Sequence, residues 1–406
     1  LNSFLFDITI VGGGIVGVAS AYKLQQKYPK LKLLLVEKER ELAFHQTGRN
    51  SGVIHSGLYY KPGSLRARLC SDGRKQLVAF AKKYKVRHDV CGKVVAATNK
   101  NELPYLDKIF SNGIQNNIEG IEKINAAQLK EIEPFVESIG GIRVPCTGII
   151  DFKGATKTMA DAILGIQQQS KIVLGEEVIG YKHDAEFSTI KTSKQSYSSK
   201  HIVFCGGLQA DRLAKKDKLK LKQRIVGFRG DYYNLTESAK YKVKHLIYPV
   251  PNPAFPFLGV HFTRMVNGDI ECGPNAVLSF KREGYRKTDF SWSDSYNALT
   301  YSGTWNLLRN HSTFALNEYR RAFSKALFLR TLQTLIPSLT SEDIVPGRSG
   351  VRAMLLKENG EMHEDFKIVY NRKSIHVLNA PSPAATACLA IGDQICKMAT
   401  NYFNLN

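Results

Sequence analysis

The first apolar run of the chain, residues 8–11 (Ile-Thr-Ile-Val), is short and rich in β-branched side chains, the pattern of a strand buried on both faces. Gly12, Gly14 and Gly17 follow at once, and residues 18–24 then place apolar side chains at helical spacing. A second apolar run, residues 31–36, ends on Glu37. Strand, glycine turn, helix, strand and acid in this order and spacing predict a βαβ unit that binds a flavin or nicotinamide dinucleotide. Each part has a task. Gly12 permits the tight turn, Gly14 lets backbone approach a pyrophosphate, and Gly17 lets the helix pack closely on the sheet. The helix start offers unpaired N–H groups to the phosphates, and Glu37 is placed to accept hydrogen bonds from a ribose.

Two later stretches repeat the strand pattern. Residues 200–207 run into Cys205-Gly206-Gly207, and residues 375–386 read as a strand and turn ahead of a helix through Ile395. Both predict returns of the chain to the opening sheet. Between them, residues 227–233, 247–250, 258–262 and 269–273 have the patterning of a second, more antiparallel sheet. Residues 306–336 are helical in pattern, with Leu307, Leu308, Phe314, Phe323, Phe328 and Leu332 set among Arg309, Arg320, Arg321, Lys325 and Arg330. Two placements suit such a segment, against the protein's own sheet or along an anionic bilayer surface.

Length and composition narrow the class. At 406 residues the chain exceeds one small core and implies two domains, interleaved in sequence. Its hydrophobic fraction of 43% is that of a globular protein, and no stretch reaches the roughly 18 uncharged apolar residues of a membrane span. The chain opens almost directly on its first strand, so no targeting peptide is read in it. Seven cysteines form neither a C-x-x-C pair nor a metal-ligand spacing, which points to buried thiols, a reducing compartment and no metal site. The charge is less ordinary: 57 Lys and Arg against 36 Asp and Glu give +21. Such a field concentrates anions, whether phospholipid head groups or a small acidic substrate. Much of the surplus falls on residues 191–200 and 215–224, read as surface loops. Nucleic acid is disfavoured as a partner, because no nucleic-acid-binding motif accompanies the lysines.

The segment after Glu37, residues 38–60, is dense in Gly, Ser, Asn and Thr and holds His55, Tyr59 and Tyr60. This composition suits backbone wrapped around a polar ligand. Residues 47–60, Arg229-Gly-Asp-Tyr-Tyr, Tyr248-Pro-Val-Pro, Gly259-Val-His-Phe-Thr-Arg, Gly273-Pro-Asn-Ala, Gly350-Val-Arg and Asn379-Ala-Pro-Ser-Pro-Ala-Ala-Thr together resemble the D-amino-acid oxidase type of FAD-dependent oxidoreductase, in particular its branch acting on L-2-hydroxyglutarate. The resemblance runs from the first strand to the last helix. Asp231 departs from it, where many relatives carry Glu, and keeps the charge.

The resemblance implies an α/β fold in which a Rossmann-like FAD-binding domain (residues 1–85, 146–224 and 341–406) is interleaved with an α+β substrate domain (86–145 and 225–340) carrying a mainly antiparallel sheet. It implies oxidation of L-2-hydroxyglutarate to 2-oxoglutarate by hydride transfer from the substrate Cα to flavin N5. Electrons would pass to a non-NAD acceptor, with a quinone, an electron-transfer flavoprotein and dioxygen all left open by the sequence, in a mitochondrial, membrane-associated setting. A sarcosine- or glycine-type amine oxidase is the alternative on the same scaffold, and a membrane- or nucleic-acid-binding module with a vestigial nucleotide fold is the alternative outside enzymes.

The reaction needs a fixed cation for the carboxylate beside the reacting carbon, because a two-pronged guanidinium both binds and aims it. Arg352 is the first choice, with a surface arginine on a strand as its bland counterpart; Arg264 is the candidate for the distal carboxylate, beside Thr263. A base is also needed, and an imidazole, with an ordinary pKa of about 6.5, suits the task. His261 is preferred because it belongs to the substrate sheet, while His55 tunes the flavin or orients substrate; a structural histidine is the bland counterpart for either. Tyr60 is a hydroxyl donor for a carboxylate. FAD contacts are expected from Gly12, Gly14, Gly17, Glu37 and Lys38, from Thr47, Arg49, Asn50 and Ser51, from Val178 at the adenine, and from Cys205, Gly206 and Gly207 near the phosphates. Ser382, Pro383, Ala384, Ala385 and Thr386 would bring N–H groups to the flavin edge where charge accumulates on reduction.

Overall fold

The first apolar run becomes strand Leu5–Val11, paired in parallel on both sides. Ile10 stands opposite Leu35 of Leu33–Glu37 and opposite Val203 of Ser196–Phe204. A central parallel strand covered by helices has no wet face, which is why its sequence is almost continuously apolar. The computed structural model describes residues 5–251 and 259–405. Within them the opening sheet has eight strands, with Lys171–Leu174, Val178–His183, Ser188–Thr192, Lys367–Tyr370 and Ser374–Asn379 completing it.

Helix Ile15–Lys27 follows the glycine turn and packs against helices Phe152–Ile166 and Cys388–Tyr402, burying Val18, Ala19 and Leu24. Glycines permit this approach. A Cβ on Gly17 would lie 2.1 Å from the Gly12 carbonyl oxygen, and one on Gly392 would lie 2.8 Å from that of Ala19.

A nine-stranded sheet forms the second layer, ordered Val277–Leu278, Arg224–Leu235, Ile270–Gly273, His261–Arg264, Leu246–Pro249, Lys93–Ala97, Gly140–Val144 and Glu122–Asn125, with Ile344–Leu356 also on Arg224–Leu235. Its pairings are antiparallel apart from Leu246–Pro249 on Lys93–Ala97. A small sheet of Val53–Ile54, Gly148–Ile150 and His88–Asp89 completes the described strands.

Four expectations change. Residues 344–356 fall within 341–406, bounds expected to belong to the FAD-binding domain. They instead pair along the length of Arg224–Leu235, from Arg224 opposite Leu356 to Leu235 opposite Ile344, because strands of 12 and 13 residues satisfy each other's backbone groups along one ladder. Residues 191–200, expected as a loop, form the turn and flanks of the hairpin Ser188–Thr192 to Ser196–Phe204, their lysines exposed. The helical stretch 306–336 divides into Ser302–Asn310, Ser312–Phe323 and Lys325–Gln333, the last capped by the Ser324 hydroxyl. The strand expected over 258–262 begins at His261; Leu258 lies outside the described residues.

Candidate functional site

A cavity of about 530 Å³ runs between the two large sheets, from Glu37 and Val178 at one end to Tyr248 and His261 at the other. Its walls come from the glycine turn, residues 44–51, residues 205–209, strand Ile344–Leu356 and the turn that precedes the last helix.

At the dinucleotide end, Gly12 has φ of 115°, and a Cβ there would lie 2.4 Å from the Cys205 carbonyl oxygen, so the turn needs glycine twice over. A Cβ on Gly14 would meet only Thr47 Oγ1 at 3.5 Å, which leaves the space beside that backbone open. The Ile15 N–H donates to Thr47 Oγ1 at 3.0 Å, and Gly14, the residue before the helix, offers no capping side chain. Glu37 is held by the N–H groups of Gly13 (2.6 Å) and Glu39 (2.9 Å) at the end of its strand. Lys38 pairs with Glu283 across the rim. Asn50 uses its side chain internally, donating to the Gln46 and Thr47 carbonyls and accepting from the Gly52 N–H, so it shapes the loop.

Two buried polar atoms beside the cavity, Arg49 Nε and Tyr59 Oη, have no hydrogen-bond partner among the described residues. A polar ligand would satisfy them. The Arg49 guanidinium is fixed over the Tyr285 ring at 3.7 Å, so its direction is set in advance. Open backbone at a helix start, an anchored acid at a strand end and orphaned donors facing a long cavity together fit an FAD.

The other end carries acid–base and anion-binding groups. His261 Nδ1 donates to the Gly259 carbonyl at 2.9 Å, which fixes the neutral tautomer with its lone pair on Nε2. The ring stacks on Tyr248, centroids 4.0 Å apart. Burial, with Arg352 and Lys93 nearby, lowers its pKa to about 4. His55 is lowered to about 3 by burial and by the charges of Lys93, His261, Arg66 and Arg352. Both imidazoles are therefore neutral at neutral pH, well below the ordinary value expected from sequence. Burial pushes the hydroxyls of Tyr60, Tyr232 and Tyr248 upward, so they remain donors.

Arg352 lines the cavity from strand Ile344–Leu356, where it stands opposite Phe228, and its charge reaches both histidines. Arg264 and Thr263 do not line it. Side chains alternate along a strand, so with His261 facing the cavity Arg264 faces away, where it pairs with Asp89. Thr263 shares the His261 face, yet its side chain is taken up by the Tyr248 hydroxyl. Thr386 spends its hydroxyl on the strand Val53–Ile54, accepting from the His55 N–H at 3.1 Å and donating to the Val53 carbonyl at 3.2 Å. The other residues named from sequence edge the cavity, as do Gln46 and Arg66, which the sequence reading did not name. Arg66 lies over the Tyr60 ring at 4.3 Å and donates to the Ser382 carbonyl at 2.5 Å. Lys93 was also missed. It is buried at the head of an otherwise apolar strand, over the rings of Tyr59 (4.6 Å) and Tyr248 (4.9 Å), and burial lowers its pKa to about 8.

The FAD dependent oxidoreductase family (DAO) matches residues 7–398. An L-2-hydroxyglutarate dehydrogenase from Indibacter alkaliphilus is 44% identical over 98% of this chain and 100% of its own length. The chain belongs to the L-2-hydroxyglutarate dehydrogenase family. A mitochondrial member from Dictyostelium discoideum is 39% identical and covers 100% of the chain and 95% of itself. Membership makes the protein an FAD-dependent oxidoreductase. Among solved structures, the dithionite-reduced, FAD-bound L-alpha-glycerophosphate oxidase of Mycoplasma pneumoniae has a TM-score of 0.80 at 24% identity, over 99% of this chain and 96% of its own. A glycine oxidase from Geobacillus kaustophilus has a TM-score of 0.71 at 15% identity, covering 97% and 95%. These two likenesses establish the shared fold. The amine-oxidase alternative is not favoured, since the relatives at 39–44% identity carry the dehydrogenase name.

Proposed function

We propose that the protein oxidises L-2-hydroxyglutarate to 2-oxoglutarate, the Cα hydrogen leaving as hydride and the hydroxyl hydrogen as a proton. The observation that carries this reading is the meeting, in one cavity, of a neutral imidazole of fixed tautomer with two guanidinium groups. FAD, when bound, supplies the two-electron acceptor for the hydride.

The chain's own residues do the rest. Arg352 holds the carboxylate next to the reacting carbon, and its planar fork fixes the rotation of that carbon. Arg66 takes the distal carboxylate, the role expected of Arg264. Its guanidinium is already positioned by the Tyr60 ring and the Ser382 carbonyl. His261 Nε2 accepts the hydroxyl proton while the Gly259 carbonyl keeps Nδ1–H in place and stabilises the imidazolium that forms. Two carboxylates entering beside His261 raise its proton affinity from the lowered value of the ligand-free protein, so the base strengthens as substrate binds. His55 orients substrate. Glu37, Thr47, Arg49, Ser51, Val178 and the backbone of 205–207 and 382–386 hold the cofactor.

A single glycine turn of the dinucleotide type is present, so reoxidation is assigned to a carrier other than NAD, a quinone or an electron-transfer flavoprotein. Relatives named mitochondrial support a mitochondrial location, and bacterial relatives share the dehydrogenase name, so the chemistry does not depend on it.

Steady-state kinetics on Arg352→Lys and Arg66→Ala test the substrate assignment. Arg352→Lys should lower kcat/KM by about tenfold or more with FAD retained, since Lys keeps charge and loses the fork. Arg66→Ala should lower kcat/KM for L-2-hydroxyglutarate while leaving that for L-lactate, which lacks the second carboxylate, nearly unchanged. Unaltered kinetics in both variants would place the carboxylate sites elsewhere.

A further inference from the structure

The buried arginines among the described residues, and one of the two buried lysines, each face an acid. Arg74 pairs with Glu119, Arg229 with Asp231, Arg282 with Asp211 and Lys242 with Asp343. Lys93 is the exception. It is 3% exposed, and among the described residues no carboxylate pairs with its ammonium. The rings of Tyr59 and Tyr248 flank its Nζ, and ring faces attract a cation without cancelling its charge. A buried charge left unpaired lowers stability, so its retention points to a ligand that answers it.

Its position says where that ligand lies. Tyr59 and Tyr248 line the cavity, Tyr248 stacks on His261, and Lys93 itself is not in the wall, so the ammonium stands behind these rings at the substrate end. Its charge reaches both His55 and His261. Across a dry aromatic wall a charge is poorly screened. The acids that line the cavity, Glu37, Glu176, Glu177 and Glu283, are at its other end, beside Val178 and Lys38. The substrate end therefore holds Arg66, Arg352 and Lys93 with no acid in its wall.

We propose that Lys93 determines specificity: its ammonium, held behind the Tyr59 and Tyr248 rings without a protein counter-ion, is the fixed charge that makes this end of the cavity select a dianion over a monoanion. It is a positioning residue, acting through the wall, and it rests on the dicarboxylate reading above. Burial lowers its pKa to about 8. The groups facing it titrate elsewhere. His261 and His55 are lowered to about 4 and about 3, while burial pushes Tyr59, Tyr248, Cys146 and Cys70 upward, the last to about 12. Arg66, Arg74 and Arg352 keep their charge, as arginine does. Lys93 is charged below its pKa and neutral above it, so dianion binding should weaken as pH rises through about 8.

The test uses the FAD-loaded full chain, with glutarate and pentanoate as inhibitors of L-2-hydroxyglutarate oxidation. Both are five-carbon acids, with two carboxylates and one, and neither carries the hydroxyl, so their inhibition constants read recognition apart from the base. Wild type should prefer glutarate by roughly tenfold or more near neutral pH, and the preference should shrink as pH rises through about 8. In Lys93→Met the preference should fall about tenfold and lose that pH dependence, whereas Lys93→Arg should keep it and carry it to higher pH. Lys93→Met should also melt no earlier than wild type, since an apolar chain of similar length replaces an unpaired buried charge; a merely structural lysine would lower the melting temperature. If Lys93→Met does not fold, the wild-type pH series decides. A preference unchanged in Lys93→Met, or flat through pH 8 in wild type, would overturn the inference while leaving the reaction assignment standing. Wild type inert to L-2-hydroxyglutarate would overturn both.

Discussion

At His261 the hydrogen bond and the electrostatics act on different properties of one ring. The Gly259 carbonyl decides which nitrogen carries the proton, while burial, Arg352 and Lys93 decide how readily the other accepts one. His261→Asn should therefore slow anaerobic flavin reduction by roughly 10²-fold or more, the scale of losing a general base. The pKa of about 4 places the enzyme's acid limb in kcat/KM below the ordinary imidazole range, because that limb reports the free enzyme. Lys93→Met removes a positive charge that disfavours the imidazolium of both histidines, so its limb should move to higher pH. A pH profile of reduction for wild type, Lys93→Met, His261→Asn and His55→Asn checks both; a limb lost in His55→Asn and kept in His261→Asn would exchange their roles. His261, His55 and Arg352 could be named in advance because each sits in a distinctive local motif. Lys93 could not, since Lys93-Val-Val-Ala-Ala reads as a plain buried strand and its meaning comes from two tyrosines distant in sequence. Its one signal was a lysine heading an apolar run.

Among elements, the glycine turn was the most legible and also allows the clearest separation of fold from function. Gly17→Ala drives a Cβ to 2.1 Å from backbone, an overpacking of about 1–3 kcal/mol that should destabilise the protein with or without FAD. Gly14→Ala meets nothing closer than 3.5 Å, so apoprotein stability should change by only about 1 kcal/mol or less while FAD affinity falls about tenfold or more. Chemical denaturation of apoprotein together with FAD titration distinguishes them; equal loss of stability in both would mean that Gly14 serves packing. Strand Ile344–Leu356 was harder to place. Its sequence, interrupted by Pro346, Gly347 and Gly350, carries no clear period, its pairing partner is a tertiary choice, and the ladder to Arg224–Leu235 spans more than a hundred residues of sequence.

Across the whole molecule, the cavity is lined by residues of two sheets built from interleaved segments, and buried polar pairs tie those segments together. Arg282 and Asp211, both buried, join them through two hydrogen bonds of 2.5 and 2.9 Å, with Asp211 also accepting from the Ile225 N–H. Removing one partner of such a pair costs about 3–5 kcal/mol, because the other charge is left buried. Arg348 does similar work, pairing with Glu271 and donating to the carbonyls of Gly48 and Asn50, so the loop around the cofactor is tied to the substrate sheet. Nothing local in the sequence marks these arginines, whereas the patterning that makes each sheet was plain. The fold class followed from that patterning and the resemblance, and the family match agrees with it. The most direct measurement is a visible spectrum of the purified protein before and after anaerobic addition of L-2-hydroxyglutarate. The account expects a yellow protein whose oxidised-flavin absorption bleaches, with one 2-oxoglutarate formed per flavin and no bleaching by glycine or sarcosine. A folded, colourless protein, or one reduced by those amino acids and inert to the hydroxy acid, would contradict it.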